Sequence, residues 1–222
     1  MNRRSESEIA KANLRERIRE TTVQAILDAA EEVFADAGLH AAHMGEIAAK
    51  AGTSVGTLYN HFEDREALLA ALMEARHAEL VARIDAALVE NAGRPLRDRL
   101  RGILGAFFAH CEAHRKFVLI VLQREVGRYH QTYPQAWAKK TDAMRDIHAR
   151  LGDEMKTGVA EGSLRPEALD LAPTFFLGMM RALIIRDVVL EPGADAAADV
   201  DRLMDMFFHG VGPHGAHREA AA

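Results

Sequence analysis

Apolar residues recur along this chain at the spacing of helices. Ile26, Ala30, Val33, Phe34 and Ala37 form one helical face that stops at Gly38, which predicts a first helix of about six turns. Met44, Ile47, Ala48 and Ala51 repeat the pattern up to Gly52, and Val55, Leu58, Tyr59 and Phe62 resume it after Ser54. Asp64 reads as the N-cap of a long helix carrying Leu68, Leu69, Leu72, Met73, Leu80, Ile84 and Leu88 towards Gly93-Arg94-Pro95. After that proline, Leu96, Leu100, Ile103, Leu104, Phe107, Phe108 and Cys111 keep the helical spacing. Further helices are predicted over 117–128, 135–160, 171–190 and 196–208. The run 117–122 alone would suit a buried strand, but the chain offers it no partner strand, so it too reads as helix. The pattern is that of an all-α protein of about nine helices.

Two short helices around Gly52 form a helix-turn-helix. Gly52 suits a turn position that needs positive φ. The Ser54 hydroxyl is placed to cap the second helix through an amide near Gly56 or Thr57. Leu58 and Phe62, four apart, pin that helix inward. Val55, Gly56, Thr57, Tyr59, Asn60 and His61 are left on its outer face, where methyl groups, an amide and close backbone approach suit the edges of bases. Tyr59 and His61 carry donors that reach phosphates.

Composition narrows the alternatives. With 222 residues, 49% hydrophobic and 27% charged, the chain has material for a sizeable core and is far from the disordered classes. Its one cysteine, Cys111, forms no intramolecular disulfide, which points to a reducing, cytoplasmic setting. The first twenty residues lack the apolar run of a secretory leader. The longest apolar stretch, 171–190, holds Pro173, Arg181, Arg186 and Asp187 and reads as a buried helix rather than a membrane span. A net charge of −5 excludes a uniformly basic nucleic-acid binder, so charge has to act locally. Near the N-terminus Arg3, Arg4, Lys11, Arg15, Arg17 and Arg19 outnumber Glu6, Glu8 and Glu16, giving a basic arm. No nucleophile elbow, phosphate loop or zinc-protease motif occurs, so an enzyme is not expected and no cofactor is assigned.

From about Arg17 to Leu69 the chain resembles the tetracycline-repressor-like (TetR) family of bacterial regulators. The residues that carry the likeness are Ile47-Ala48, Ala51-Gly52, Ser54-x-Gly56-Thr57-Leu58-Tyr59-x-His61-Phe62 and Arg65-Glu66-x-Leu68. By that resemblance Tyr59 and His61 contact phosphates, Arg65 stands where the family places a lysine, and Val55, Gly56, Thr57 and Asn60 read bases beside Ser54. The family starts its second helix with threonines that cap it and touch phosphate. This chain has Ala42 and His43 there, with His43 the candidate replacement, and Gly45 stands where a longer basic side chain is common.

The resemblance implies a homodimer bound to a palindromic double-stranded DNA operator, most simply as a repressor released by a small hydrophobic or aromatic effector. It divides the chain into a flexible basic arm (1–14), a three-helix DNA-binding domain (15–63), a larger ligand-binding and dimerisation domain (64–209) and a disordered tail (210–222). Effector binding among the central helices would shift the long fourth helix. Candidate pocket residues are Phe107, Phe108, Cys111 and Phe117, followed by Trp137, Met144 and His148, and then Phe175 and Met179. The helix apolar almost all round needs both a core and a neighbouring subunit, and Phe176, Met180 and Ile184 are expected at the dimer interface with Leu203 and Phe207. Two other readings stay open: an activator, and a metal-responsive regulator using His110, Cys111 and His114 or the histidines of the tail. No membrane partner is expected.

Overall fold

Gly38 ends the first helix in the left-handed region (φ +80°) that a side chain disfavours. Its N–H donates to Phe34 O at 3.1 Å, closing the last turn. In the computed structural model, residues 3–126, 134–191 and 199–211 are described, with side chains described over 13–122, 142–191 and 199–210. Among the described residues the secondary structure is helical, as the periodicity requires, and contains no strand. The helices are α1 (Arg3–Ala37), α2 (Met44–Lys50), α3 (Val55–His61), α4 (Arg65–Glu90), α5 (Leu96–Ala113), α6 (Arg115–Val126), α7 (Pro134–Ala160), α8 (Ala172–Ile185) and α9 (Val200–Val211). A short 3-10 turn at Pro166–Ala168 and a π turn at Arg186–Leu190 complete the set. None of the described helices is long and apolar enough to cross a membrane.

Of the described residues, one compact unit takes those up to Glu74 together with Lys116–Lys139, and a second takes Ala75–Arg115 and those from Lys140 onward. The division falls inside α4 rather than at residue 64, because Leu68, Leu69 and Leu72 on its first turns are fully buried and complete the core of the first unit. That core joins them to Ile26, Phe34, Ile47 and Leu58. The first residues of α6 belong with α1: Phe117 N–H donates to the buried Glu31 carboxylate at 3.3 Å, and Lys116 lies 3.3 Å from Asp36. The segment 1–14, expected as a flexible arm, is helical from Arg3 and continuous with α1.

In the second unit Leu96, Leu100, Ile103 and Leu104 of α5 are buried with Leu151 and Met155 of α7 and Phe176, Met180, Met204 and Phe207 of α8 and α9. The ring of Phe207 lies edge-on to Phe176 at 5.1 Å and stacks on Phe175 at 6.4 Å. Buried Arg99 forks onto Glu161 (3.1 Å through each terminal nitrogen) and reaches Glu154 at 2.7 Å. Paired on two sides, its charge is compensated inside the unit.

Within 171–190, Pro173 sits in the first turn of α8, where its missing N–H is harmless, so the helix starts there. The far end widens at Arg186 into the π turn, which carries the buried Asp187 bonded by Arg115 at 3.3 Å. The expected helix over 196–208 is described from Val200 to Val211, taking in the first two residues of the expected tail, and 212–222 lies outside the described residues.

Gly158 of α7 lies close against α5. A Cβ there would lie 2.2 Å from Cδ2 of the fully buried Leu96. Gly158→Ala therefore overpacks this contact and is expected to destabilise the protein by about 1–3 kcal/mol in denaturant unfolding. Gly152→Ala on the same helix meets no atom within 4 Å and is expected to be neutral or stabilising by about 0.5–1 kcal/mol. Equal effects would contradict the close approach.

Candidate nucleic-acid interface

The turn between α2 and α3 closes with the hydrogen bonds of a Schellman motif. Gly52 N–H donates to Ala49 O at 3.1 Å and Thr53 N–H to Ala48 O at 3.0 Å, with Gly52 at φ +66°. The chain re-enters helix at Ser54, whose extended backbone and hydroxyl make it the N-cap: Oγ accepts from Thr57 N–H at 3.0 Å. The same Oγ lies 2.8 Å from Thr57 Oγ1, so the Thr57 hydroxyl also meets the cap. Leu58 is fully buried and Phe62 nearly so, which anchors α3 through one side.

The opposite side faces solvent. Val55 is 45% and Tyr59 50% exposed, Gly56 and Asn60 are exposed, and Thr57 and His61 are half-buried. A Cβ on Gly56 would meet only Ser54 Oγ at 3.8 Å, so the helix backbone there is open to close approach. The face thus offers two methyl-bearing side chains, one amide, one phenol and one imidazole, with no buried charge to desolvate. These are groups that read base edges and grip phosphates.

Arg65, expected among the DNA-contacting residues, makes a contact within the chain. Its Nη1 donates to His40 O at 2.8 Å and Ala42 O at 3.1 Å, tying the first turn of α4 to the loop that leads into α2. It positions the start of α2. His43 is the N-cap residue of α2 but makes no side-chain capping bond and lies exposed, so it does not replace a capping threonine. Gly45 is exposed with no atom within 4 Å of where its Cβ would be. Beside the turn, Leu14, Arg17, Ile18, Thr21 and Thr22 of α1 line an open cleft of about 470 Å³ with Ala51, Gly52 and Thr53. Sequence reasoning placed only charge in this part of α1. The exposed i, i+4 pair Leu14 and Ile18 was the signal for the cleft.

The expected effector residues fall in both units. Phe117 and Trp137 belong to the first unit, and the Trp137 side chain lies outside the described residues. The other seven belong to the second. Phe108 is buried, with Phe107 half-buried and edge-on to it at 5.6 Å. Burial pushes the Cys111 thiol up to about 12, with Asp187 adding to the shift, so the group is an inert thiol at neutral pH. His148 pairs with Thr174 Oγ1 at 3.1 Å, Met179 is half-buried, and Met144 and Phe175 are exposed. The five expected interface residues need correction. Phe176, Met180, Ile184, Leu203 and Phe207 are all buried in their own chain, where they fill the core between α8 and α9. The large apolar side chains left exposed on these elements are Phe175 (52%) and Met206 (65%), with Leu171 (72%) just ahead of α8.

The family model "Bacterial regulatory proteins, tetR family" matches residues 26–72, the segment that contains α2, α3 and the buried start of α4. The HTH-type transcriptional activator FasR of Mycolicibacterium smegmatis is 34% identical over 56% of the chain, a stretch spanning 58% of that protein. The HTH-type transcriptional repressor KstR2 of the same organism is 32% identical over 64% of the chain and 67% of that protein. The fold is also that of the transcriptional regulator FadR from Bacillus subtilis in complex with stearoyl-CoA. That structure matches with a TM-score of 0.75 and 18% identity, covering 84% of this chain and 98% of that one. These relatives are regulators of transcription, not enzymes.

Ser54→Ala removes the cap and is expected to cost about 1 kcal/mol in denaturant unfolding, and wild-type stability in that variant would contradict the cap. Gly45→Lys adds a cation in open space at the start of α2. In anisotropy titrations it is expected to tighten binding to all duplexes and to steepen the salt dependence by about 0.9 in log–log slope. An unchanged slope would place α2 away from the phosphates.

Proposed function

Because the chain belongs to the TetR family of bacterial regulatory proteins, we propose that it is a homodimeric repressor that binds a palindromic operator through α3 and is released by a small hydrophobic effector. The observation that carries this reading is the solvent-facing side of α3, where Val55, Gly56, Tyr59 and Asn60 are exposed and carry groups suited to base edges and phosphates. One such helix reads only a few base pairs. Two, held by a dimer about 34–36 Å apart, read successive major grooves and gain specificity from spacing as well as contacts.

The dimer reading is supported by the apolar surface of the second unit. Along α8 the exposed positions Thr174, Phe175, Gly178, Arg181 and Ala182 follow helical spacing, mostly small or apolar residues around one aromatic ring. Phe175 stacks on Phe207 and Met206 is exposed on the same helix as Phe207, so the two helices offer apolar groups that a second copy would cover. Val55, Gly56, Thr57 and Asn60 are the base-reading set, and Tyr59 and His61 the phosphate contacts. Arg65 acts by orienting α2.

Effector release requires unequal affinity for the DNA-bound and free conformations. The residues of α4 are shared between the two units, with Glu74 the last residue of one and Ala75 the first of the other. A ligand held by Phe107, Phe108 and Met179 in the second unit therefore has a covalent route to the reading head through α4. The stearoyl-CoA of the Bacillus subtilis neighbour makes a long-chain acyl thioester the first compound to try.

Selection from a random duplex pool is expected to enrich a palindrome, and stearoyl-CoA or a related acyl thioester to weaken binding to it at least about tenfold, or ~1.4 kcal/mol. Enrichment of no site, in either the presence or absence of acyl thioesters, would contradict the reading. Phe175→Glu with Met206→Glu is expected to convert the dimer to monomer in sedimentation with the helical content preserved. A dimer that survives both substitutions would contradict the assigned face.

A further inference from the structure

α4 and the C-terminal end of α5 bring together three donors that DNA reading does not use. His110 occupies the last turn of α5 and His114 is its C-cap, so the i, i+4 spacing sets both imidazoles on one side with ring centroids 4.8 Å apart. Glu79 comes from α4, its Oε2 2.9 Å from His114 Nε2. One donor atom of each residue lies within 4.8 Å of those of the other two. His110 is only 3% exposed, and its Nδ1 is buried without a hydrogen-bond partner, a condition that buried ring nitrogens ordinarily avoid. The side chains of His114 and Glu79 are 15% and 34% exposed, which gives the cluster one side open to solvent.

We propose that Glu79, His110 and His114 bind a divalent ion of the zinc, cobalt or nickel class, joining α4 to α5, with solvent in the remaining coordination positions. Two imidazoles and one carboxylate are a donor set that such ions favour over magnesium or calcium, which prefer oxygen. Donors on a tetrahedral ion at about 2.1 Å stand roughly 3.4 Å apart, so the Glu79–His114 pair opens by about half an ångström on binding. Arg83 fixes the carboxylate from outside, its Nη2 and Nε lying 2.9 and 3.2 Å from Oε1, which leaves Oε2 on the imidazole side. Arg76 stands 3.8 Å from that Oε2. The two guanidiniums oppose a weakly held hard cation and so sharpen the preference for an ion that bonds nitrogen strongly. Cys111, adjacent to His110 in sequence and the third member suggested by spacing, is outside the cluster, and Glu79 takes its place.

The site lies wholly in the second unit, and metal binding can be measured without DNA or effector, so its failure and that of the proposed regulatory function are separable. Full-length protein stripped with chelator is titrated with Co²⁺. The expected result is one saturable site per chain with visible d–d absorption, displaced by Zn²⁺. Glu79→Gln and His114→Gln are each expected to weaken it by more than about tenfold, since even outer-shell changes cost ~10–100-fold. The tail variant His209→Gln/His214→Gln/His217→Gln is expected to leave it unchanged. X-ray absorption on the zinc-loaded wild-type protein gives a readout independent of variant folding, with two imidazoles expected in the ligand shell. No saturable cobalt binding, a site lost in the tail variant but kept in His114→Gln, or a shell without two imidazoles would each overturn the proposal.

Discussion

The anchoring of α3 by Leu58 is the contact on which the proposed reading head depends. Seven residues make too short a helix to persist alone in water, so α3 exists because one face is buried and its first turn is capped. Full burial of Leu58 contributes about 1.5–3 kcal/mol, and the Ser54 cap adds about 1. Together they set the rotation of α3, and that rotation decides that Val55, Gly56, Tyr59 and Asn60 turn outward. Gly52 fixes the angle at which α3 leaves α2, because the Schellman bonds close only around its left-handed backbone. Arg65 secures the other end of the motif from α4, tying it to the loop that leads into α2.

The second unit is organised around its own aromatic centre. Phe207 is fully buried between Phe175 and Phe176, which commits α9 to one side of α8 and leaves the other side of α8 to solvent. In the same unit the ion pairs of Arg99 join α5 to Glu154 and Glu161 of the α7 region. The proposed effector and dimer readings both draw on this unit, where a side chain spent on the core is unavailable for an interface.

Much of the fold was legible in the sequence because its punctuation is local. Gly38, Gly52 and Gly93 all adopt positive φ, and Ser54 and Asp64 both cap through side-chain oxygens. The outward face of α3 followed from period and capping alone. What escaped was set by distant residues. A helix as uniformly apolar as α8 carries little information about which side faces inward, so the buried set Phe176, Met180 and Ile184 could be mistaken for an interface. The backbone carbonyls that hold Arg65 lie more than twenty positions away, as does Glu79 from the histidines it meets. The π turn at Arg186 has no local marker, because its helical spacing continues unbroken in the sequence.

The most direct test of the α3 reading head is a coupling map. Thr57→Ala and Asn60→Ala are each measured against every single base-pair substitution of the selected operator, and interaction energies are extracted from the resulting double-mutant cycles. A read base pair typically carries about 1–3 kcal/mol of discrimination, so coupling of that order should be confined to one or two symmetry-related positions for each residue and absent elsewhere. Uniform losses across all positions, with no coupling above noise, would show that α3 does not read bases and would contradict the account.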